Sequence, residues 1–163
     1  MGYENSAAIG VNNHYGVRST GGSIGIEHGY GSVWTYKIDL TGQSIADNVA
    51  GFIPPFYVKK GMLLKSAVLR VDEVFVVTGT TPHLEIGSYG SVATDGIEIT
   101  EAQLEALGTT DLSSTGAGTW ATASAGGVAA DAKIGFVLEG DTAIAATSGK
   151  ATVILEFVYN TKI

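Results

Sequence analysis

The chain has 163 residues, a formal net charge of −7 and no cysteine. This length fits one domain whose core needs no disulfide or thiolate metal site, and the acidic balance argues against a nucleic-acid surface. The first residues lack the regions of a secretory signal, and no apolar run approaches the roughly 18 residues of a membrane helix. The 23 glycines lie between short apolar runs, a pattern typical of an all-β protein.

Residues 1–32 differ from the rest of the chain in their density of glycine. Within them, residues 9–16 resemble residues 24–31, because Ile, Gly, a β-branched residue, Tyr and Gly recur in the same order. A segment this rich in glycine packs no core of its own. We predict an extended N-terminal arm or open loop that orders against another surface, joined to a β-sandwich domain over residues 33–163. The alternative is a flexible terminus.

The next part of the chain predicts strands around one long central strand. Residues 33–40 alternate apolar and polar side chains, as in a half-buried strand, and residues 41–43 form a turn. Residues 51–58 contain two prolines that cannot donate to a ladder, which predicts an edge segment or a kink. Residues 60–77 predict one long bent strand, or two strands in series, at the centre of a sheet. The alternation slips at residues 71–74, which indicates a bulge or a corner between two strands.

The second half predicts shorter strands and one helix. Thr100 and Gln103 occupy the positions of a capping box, so a helix of about two turns is expected between residues 100 and 108. Strands are predicted at residues 83–87, 133–138, 142–146 and 151–159, with another strand within residues 90–99, a weak strand within residues 108–127 and a hairpin turn at residues 147–150. The predicted fold is an all-β, two-sheet antiparallel sandwich, jelly-roll-like, with one short helix.

Charge is unevenly distributed along the chain. Residues 59–70 carry four bases and no acid, whereas residues 86–149 carry eight acids and one base. The pattern favours ordinary solvated surface, and the alternative is a charge asymmetry that orients docking on a partner.

No group of titratable residues has the spacing of a catalytic or metal site. The histidines are scattered, and no two have the separation of zinc ligands. The acids near Gly140 lack an Asp-rich calcium loop, and no nucleophile is accompanied by a base. We therefore expect no enzymatic activity, no cofactor and no metal. The residues weighed in this way are His14, His28, His83, Asp131, Glu139 and Asp141.

Four aromatic residues suggest a second kind of function. Tyr15, Tyr30, Trp34 and Trp120 could stack on a sugar if they were exposed on an open face. Core packing is the commoner fate of such side chains. The alternative function is therefore a glycan-binding β-sandwich, as in a fibre tip or a carbohydrate-binding module.

Three segments carry a resemblance to a known group of proteins. AIGVNNHYGVR at residues 8–18, KGMLLKSA at residues 60–67 and VDEVF at residues 71–75 resemble small structural head proteins of marine tailed bacteriophages. These are similar to capsid decoration, or cement, proteins, and the likeness covers most of the chain loosely. It implies a β-sandwich on the outer capsid surface of the virion, made in the host cytoplasm. It also implies a homo-oligomer, often a trimer, that ties neighbouring major capsid protein subunits together.

The predicted partner-binding residues lie in the N-terminal arm. The arm would lose chain entropy and gain contacts as it orders on its partner. Arg18 is its only base and a candidate ion-pair donor to an acidic surface. The arm's partner is either the capsid or its own oligomer mates, and no nucleic acid or membrane is expected. The predicted footprint is Ile9, Val11, Tyr15, Arg18, Ile24, Ile26 and Tyr30.

Overall fold

The computed structural model describes residues 11–16, 23–30, 33–46, 56–89, 96–113, 120, 127–141 and 144–159. In these ranges ten strands and two short helices are present. The strands are β1 (Val11–Gly16), β2 (Ser23–Tyr30), β3 (Val33–Thr41), β4 (Tyr57–Val58), β5 (Met62–Thr78), β6 (His83–Ser88), β7 (Ile97–Thr100), β8 (Gly108–Asp111), β9 (Ala132–Glu139) and β10 (Ala145–Tyr159). The helices are α1 (Gly42–Ala46) and α2 (Glu101–Leu104).

The strands form two antiparallel sheets with a nested order of pairing. The larger sheet has the order β1-β2-β3-β10-β5-β8 and the smaller sheet β4-β9-β6-β7. From β3 onward, the outermost strands pair with each other and each inner pair follows in turn: β3 with β10, β4 with β9, β5 with β8, and β6 with β7. A long antiparallel ribbon folded over on itself has this order, which is that of a jelly roll. The predicted jelly-roll-like sandwich is confirmed.

The core lies between the two sheets. It is formed by strands in which buried apolar residues alternate with more exposed ones. In β3, Tyr36, Ile38 and Leu40 are buried while the residues between them are only partly covered. The rings of Tyr36 and Phe157 meet edge to face at 5.7 Å between centroids, an arrangement that adds to the stabilisation from area burial alone. The predicted strand at residues 33–40 is therefore confirmed, with its apolar face inward.

The long central strand is confirmed, and so is its bulge. β5 spans 17 residues and pairs with β10 on one side and β8 on the other. The register passes from Val71 opposite Ala151 to Glu73 opposite Lys150, so Asp72 is the extra residue. Such a bulge bends a strand and increases its twist.

Three local predictions are corrected by the structure. The turn predicted at residues 147–150 is wrong because β10 runs through it without a break. Here Gly149 has φ +123°, and a Cβ would lie 2.4 Å from the ring of Phe75, so close packing explains the glycine. Helix α2 has one turn and keeps its capping box, but Gly108 begins β8 instead of ending the helix. Helix α1 was predicted as a turn, and Thr41 and Ser44 cap it with reciprocal hydrogen bonds.

Residues predicted as an open arm form part of the larger sheet. The backbone of β1 pairs with β2, and β2 pairs with β3 from Gly25 opposite Ile38 to Tyr30 opposite Val33. This differs from the open loop that the glycine content predicts. Backbone pairing needs no side-chain core, so a high glycine content does not exclude a paired strand. The division of the chain at residue 32 stays a prediction.

Candidate functional site

The N-terminal hairpin places the predicted footprint at one edge of the larger sheet. Among the described residues, β1 is the last strand on this side. Edge strands present backbone N–H and C=O groups that a further strand can pair with. Ile9 and Arg18 lie outside the described residues.

The strand pairing aligns the other predicted partner-binding residues with two different sets of residues in β3. Val11 lies opposite Gly29, which lies opposite Trp34, and Tyr15 is aligned through Gly25 with the core residue Ile38. In contrast, Ile26 lies opposite Lys37 and Tyr30 lies opposite Val33, whereas Ile24 is a further position of β2. The structure brings these residues into one hairpin but not into one row.

Two of the four aromatic residues considered for sugar stacking, Trp34 and Trp120, have described side chains, and both pack against the core. Trp120 is 0% exposed, its Nε1–H donates to Ser88 Oγ at 3.1 Å, and its ring meets Phe157 at 5.2 Å. Trp34 is partly buried and packs against the core. Core packing, the commoner fate of such residues, is therefore confirmed for Trp120, which is not available to stack on a sugar. The side chains of Tyr15 and Tyr30 lie outside the description.

A different pair of aromatic residues is exposed on the smaller sheet. Tyr57 and Tyr89 are 45% and 50% exposed, and both adjoin Lys133 of β9. Tyr57 lies opposite Lys133 in the ladder, with Lys133 Nζ 5.9 Å from the centre of its ring. The Tyr89 N–H donates to the Lys133 carbonyl oxygen at 2.8 Å. Because the next residue along β9, Ile134, is buried, Lys133 lies on the outer face, and the three residues form the aromatic row.

The same outer face carries a polar cluster that the sequence analysis missed. One ligand atom each from His83, Glu85 and Glu139 lies within 4.8 Å of the others, and we call these residues the His83 cluster. His83 and Glu85 are two positions apart in β6, and Glu139 of β9 lies directly opposite His83. Strand residues two apart share a face. The alternating His-Leu-Glu pattern of residues 83–85 is the local signal of this cluster in the sequence.

The electrostatics of the His83 cluster are unfavourable to its central carboxylate. Burial, followed by the charge of Glu139, raises the pKa of Glu85, and His83 offsets this in part while Glu98 adds to it. The side chain of Glu85 is 14% exposed. Its Oε2 atom is buried and has no hydrogen-bond partner in the described part of the chain, and such an atom loses hydration without replacement.

Asp131 and Asp141, the other two acids considered as metal ligands, form hydrogen bonds within loops. Asp131 Oδ1 accepts from the Lys60 N–H at 2.9 Å, and Oδ2 accepts from Lys59 Nζ at 3.1 Å. The backbone bond and then the Lys59 bond lower the pKa of Asp131. Asp141 Oδ2 accepts from Thr81 Oγ1 at 2.7 Å. Asp131 thus stabilises the turn at Lys59 and Lys60, and Asp141 stabilises the loop at Thr81.

The fold defines the chain as a jelly-roll β-sandwich. Comparisons with family models, with curated proteins and with solved structures found no match for it. Among the described helices, none has the length and apolar character that crossing a membrane requires.

Proposed function

We propose that this chain is a structural virion protein that decorates the outer capsid surface and bridges major capsid protein subunits, with no catalytic role. The observation that carries the proposal is the position of β1 at the edge of the six-stranded sheet. A partner that adds a strand to this edge would gain backbone hydrogen bonds along the hairpin. Jelly rolls are common among viral structural proteins, which adds fold-level support by analogy.

The surface charges favour docking through the edge over docking through a basic face. Lys59 pairs with Asp131 and Arg70 pairs with Asp72, so acids from the chain itself face two of the bases between residues 59 and 70. Exposed ion pairs of this kind contribute little energy. They do reduce the positive charge of residues 59–70 locally, so this segment attracts an acidic partner only weakly.

The proposal includes a homo-oligomer, with a trimer as its expected form. A second copy of the chain and a capsid subunit could use the same β1 edge, since strand addition depends on backbone groups more than on side chains. Sedimentation velocity of the purified chain alone measures the oligomer. Binding to capsids is a separate measurement.

The test is co-sedimentation of the full chain with expanded, undecorated heads made from the major capsid protein of the same phage. We expect saturable binding in stoichiometric amounts. Deletion of residues 1–20 removes β1 and leaves β2 on β3, so this variant should keep its circular dichroism spectrum and lose binding. Deletion of residues 1–8 keeps β1 and is the matched control. The proposal fails if the full chain ignores the heads. The β1 edge is excluded if the longer deletion binds as tightly as the shorter one.

A second candidate function is glycan binding, which the exposed aromatic row favours. Tyr57 and Tyr89 flank Lys133 on an outer face, and tyrosine offers an apolar ring with a polar tip. A glycan array with the full chain is the first measurement. Binding that disappears in the Tyr57→Ala/Tyr89→Ala variant and persists in Val76→Ala, an exposed control residue, would support this function. A silent array would remove it.

A further inference from the structure

We propose that His83, Glu85 and Glu139 bind a divalent transition-metal ion, for which zinc is the probe. The three side chains come from β6 and from the neighbouring strand β9, so an ion held between them would cross-link the two strands. The site is distinct from both the β1 edge and the aromatic row, and the proposal does not depend on the function proposed above.

The spacing of the donor atoms fits one ion after small side-chain rotations. All three ligand atoms lie within 4.8 Å of one another. Nitrogen and oxygen ligands lie about 2.0–2.2 Å from zinc, so two ligands of a tetrahedral ion are about 3.4 Å apart. Each strand backbone is fixed by the ladder, with His83 directly opposite Glu139, so only the side chains have to adjust.

The hydrogen bonding of His83 prepares one ring nitrogen to be a ligand. Its Nδ1 atom lies 3.1 Å from the Thr81 carbonyl oxygen. A carbonyl oxygen can only accept, so Nδ1 carries the hydrogen. In the neutral ring Nε2 then has a free lone pair. Histidine ligands of metals are commonly oriented by such a bond from the other nitrogen to a carbonyl.

That free lone pair faces a second acceptor, and this arrangement calls for a positive charge between them. His83 Nε2 lies 3.7 Å from Glu85 Oε1. Two acceptors repel each other unless a proton or a cation lies between them. A proton on Nε2 would satisfy only this contact, whereas Glu85 Oε2 is buried without a hydrogen-bond partner in the described residues. A metal ion would bind both carboxylates and the imidazole together.

The ligand set favours a transition metal over calcium or magnesium. Calcium and magnesium prefer oxygen ligands throughout, whereas an imidazole with carboxylates suits zinc and its neighbours in the first transition row. The loop before β6 is itself held in place, because Thr81 Oγ1 donates to Asp141 and the Asp141 N–H donates to the Thr80 carbonyl at 2.9 Å. The Thr81 carbonyl that orients His83 is therefore fixed.

The experiment is a calorimetric zinc titration of the full chain after treatment with a chelator, at neutral pH. We expect one ion per chain and a melting temperature that rises with zinc concentration, since a ligand that binds the folded state stabilises it. Glu85→Gln keeps the shape of the side chain and removes a ligand charge, so affinity should fall by at least about tenfold. Glu98→Gln changes a nearby carboxylate outside the cluster and should retain the affinity.

A second readout keeps the test valid if Glu85→Gln destabilises the fold. In the unsubstituted chain, the imidazole NMR signals of His83 should shift on zinc addition, with Nε2 affected more than Nδ1. The proposal is overturned if zinc does not bind, if Glu85→Gln binds as the parent does, or if the shifted signals belong to His14 or His28.

Discussion

At the scale of single residues, the turn between β4 and β5 depends on contacts from a distant part of the chain. The Gly61 N–H donates to the Val128 carbonyl and the Val128 N–H donates to the Met62 carbonyl, both at 2.8 Å. Gly127 precedes Val128 with φ +75°, and a Cβ there would lie 2.3 Å from the Met62 carbonyl oxygen. Glycine is therefore required at residue 127 for its backbone conformation and for its lack of a side chain.

The first prediction separates these two requirements. Gly127→Ala should reduce the free energy of unfolding by more than about 2 kcal/mol, because it adds a backbone clash to the cost of a left-handed alanine. Gly61→Ala is the matched control: Gly61 has φ +83° with no atom within 4 Å of an added Cβ, so only the conformational cost of about 1–2 kcal/mol applies. Urea denaturation of both variants measures the difference. Equal losses would contradict the close contact.

The second prediction concerns the pH dependence of the bond between Asp131 and this turn. The pKa of Asp131 is lowered in the folded state, so the folded state binds its proton less readily than the unfolded chain. The stabilisation is present above the ordinary aspartate pKa of 3.8 and is lost as the pH falls through the lowered folded value. Asp131→Asn should therefore lower the melting temperature at pH 7, with a difference that shrinks in acid.

The control for this prediction is Asp72→Asn. Asp72 forms an exposed ion pair with Arg70 two positions away in the same strand, and such pairs contribute little. Its substitution should change the melting temperature less than Asp131→Asn at pH 7. A constant difference between Asp131→Asn and the parent from pH 7 down to pH 2 would contradict the charge-based explanation.

At the scale of elements, Trp120 connects the two sheets although it belongs to neither. Its ring packs on Phe157 of β10 in the larger sheet, and its Nε1–H bonds to Ser88 of β6 in the smaller sheet. The Leu64 N–H of β5 donates to its backbone carbonyl at 2.9 Å. One side chain therefore contacts both layers of the sandwich.

The third prediction follows from this position between the layers. Trp120→Ala should reduce the free energy of unfolding by about 3–5 kcal/mol, measured by urea denaturation. Ser88→Ala should cost about 1–3 kcal/mol, because it leaves the buried indole N–H without its acceptor. Tyr57→Ala, at an exposed residue, is the control and should cost less than either. A small effect of Trp120→Ala would show that the ring is dispensable for the packing of the layers.

The elements that the sequence predicts are those whose signal is local. β3 follows from its alternation, the bulge of β5 from the slip at residues 71–74, and the cap of α2 from Thr100 and Gln103. The sequence predicts a turn within β10 because Gly149 favours turns. The structure explains this glycine by its close packing on Phe75, a contact between residues distant in the sequence. The sequence does not predict the His83 cluster for a related reason. Strand pairing places Glu139 beside His83, and no spacing within the sequence encodes that pairing.

At the scale of the whole molecule, the hairpin β1–β2 makes the larger sheet six strands wide against four in the smaller one. The jelly roll itself uses β3, β10, β5 and β8 of the larger sheet. The hairpin therefore adds two strands to the larger sheet on the β3 side, beyond the four that the nested pairing uses. An extension of this kind is suited to contact with another molecule, in agreement with the proposed docking at β1.

The nested pairing also predicts the order in which the strand pairs form during folding. The innermost pair, β6 with β7, closes a short loop, whereas bonds such as Thr152 to Asp39 join residues 113 positions apart. Long loops cost more entropy to close and slow the search for native pairing. We therefore expect folding to begin at β6–β7 and to finish with β10 entering between β3 and β5.

Stopped-flow kinetics test this order with two conservative changes at fully buried residues. Ile97→Val in β7 should mainly slow folding, whereas Ile38→Val in β3 should mainly accelerate unfolding. The opposite pattern would mean that the ends of the ribbon meet first. If β6–β7 does form first, β3 of a chain still being made would remain without its β10 partner until residues 145–159 emerge from the ribosome.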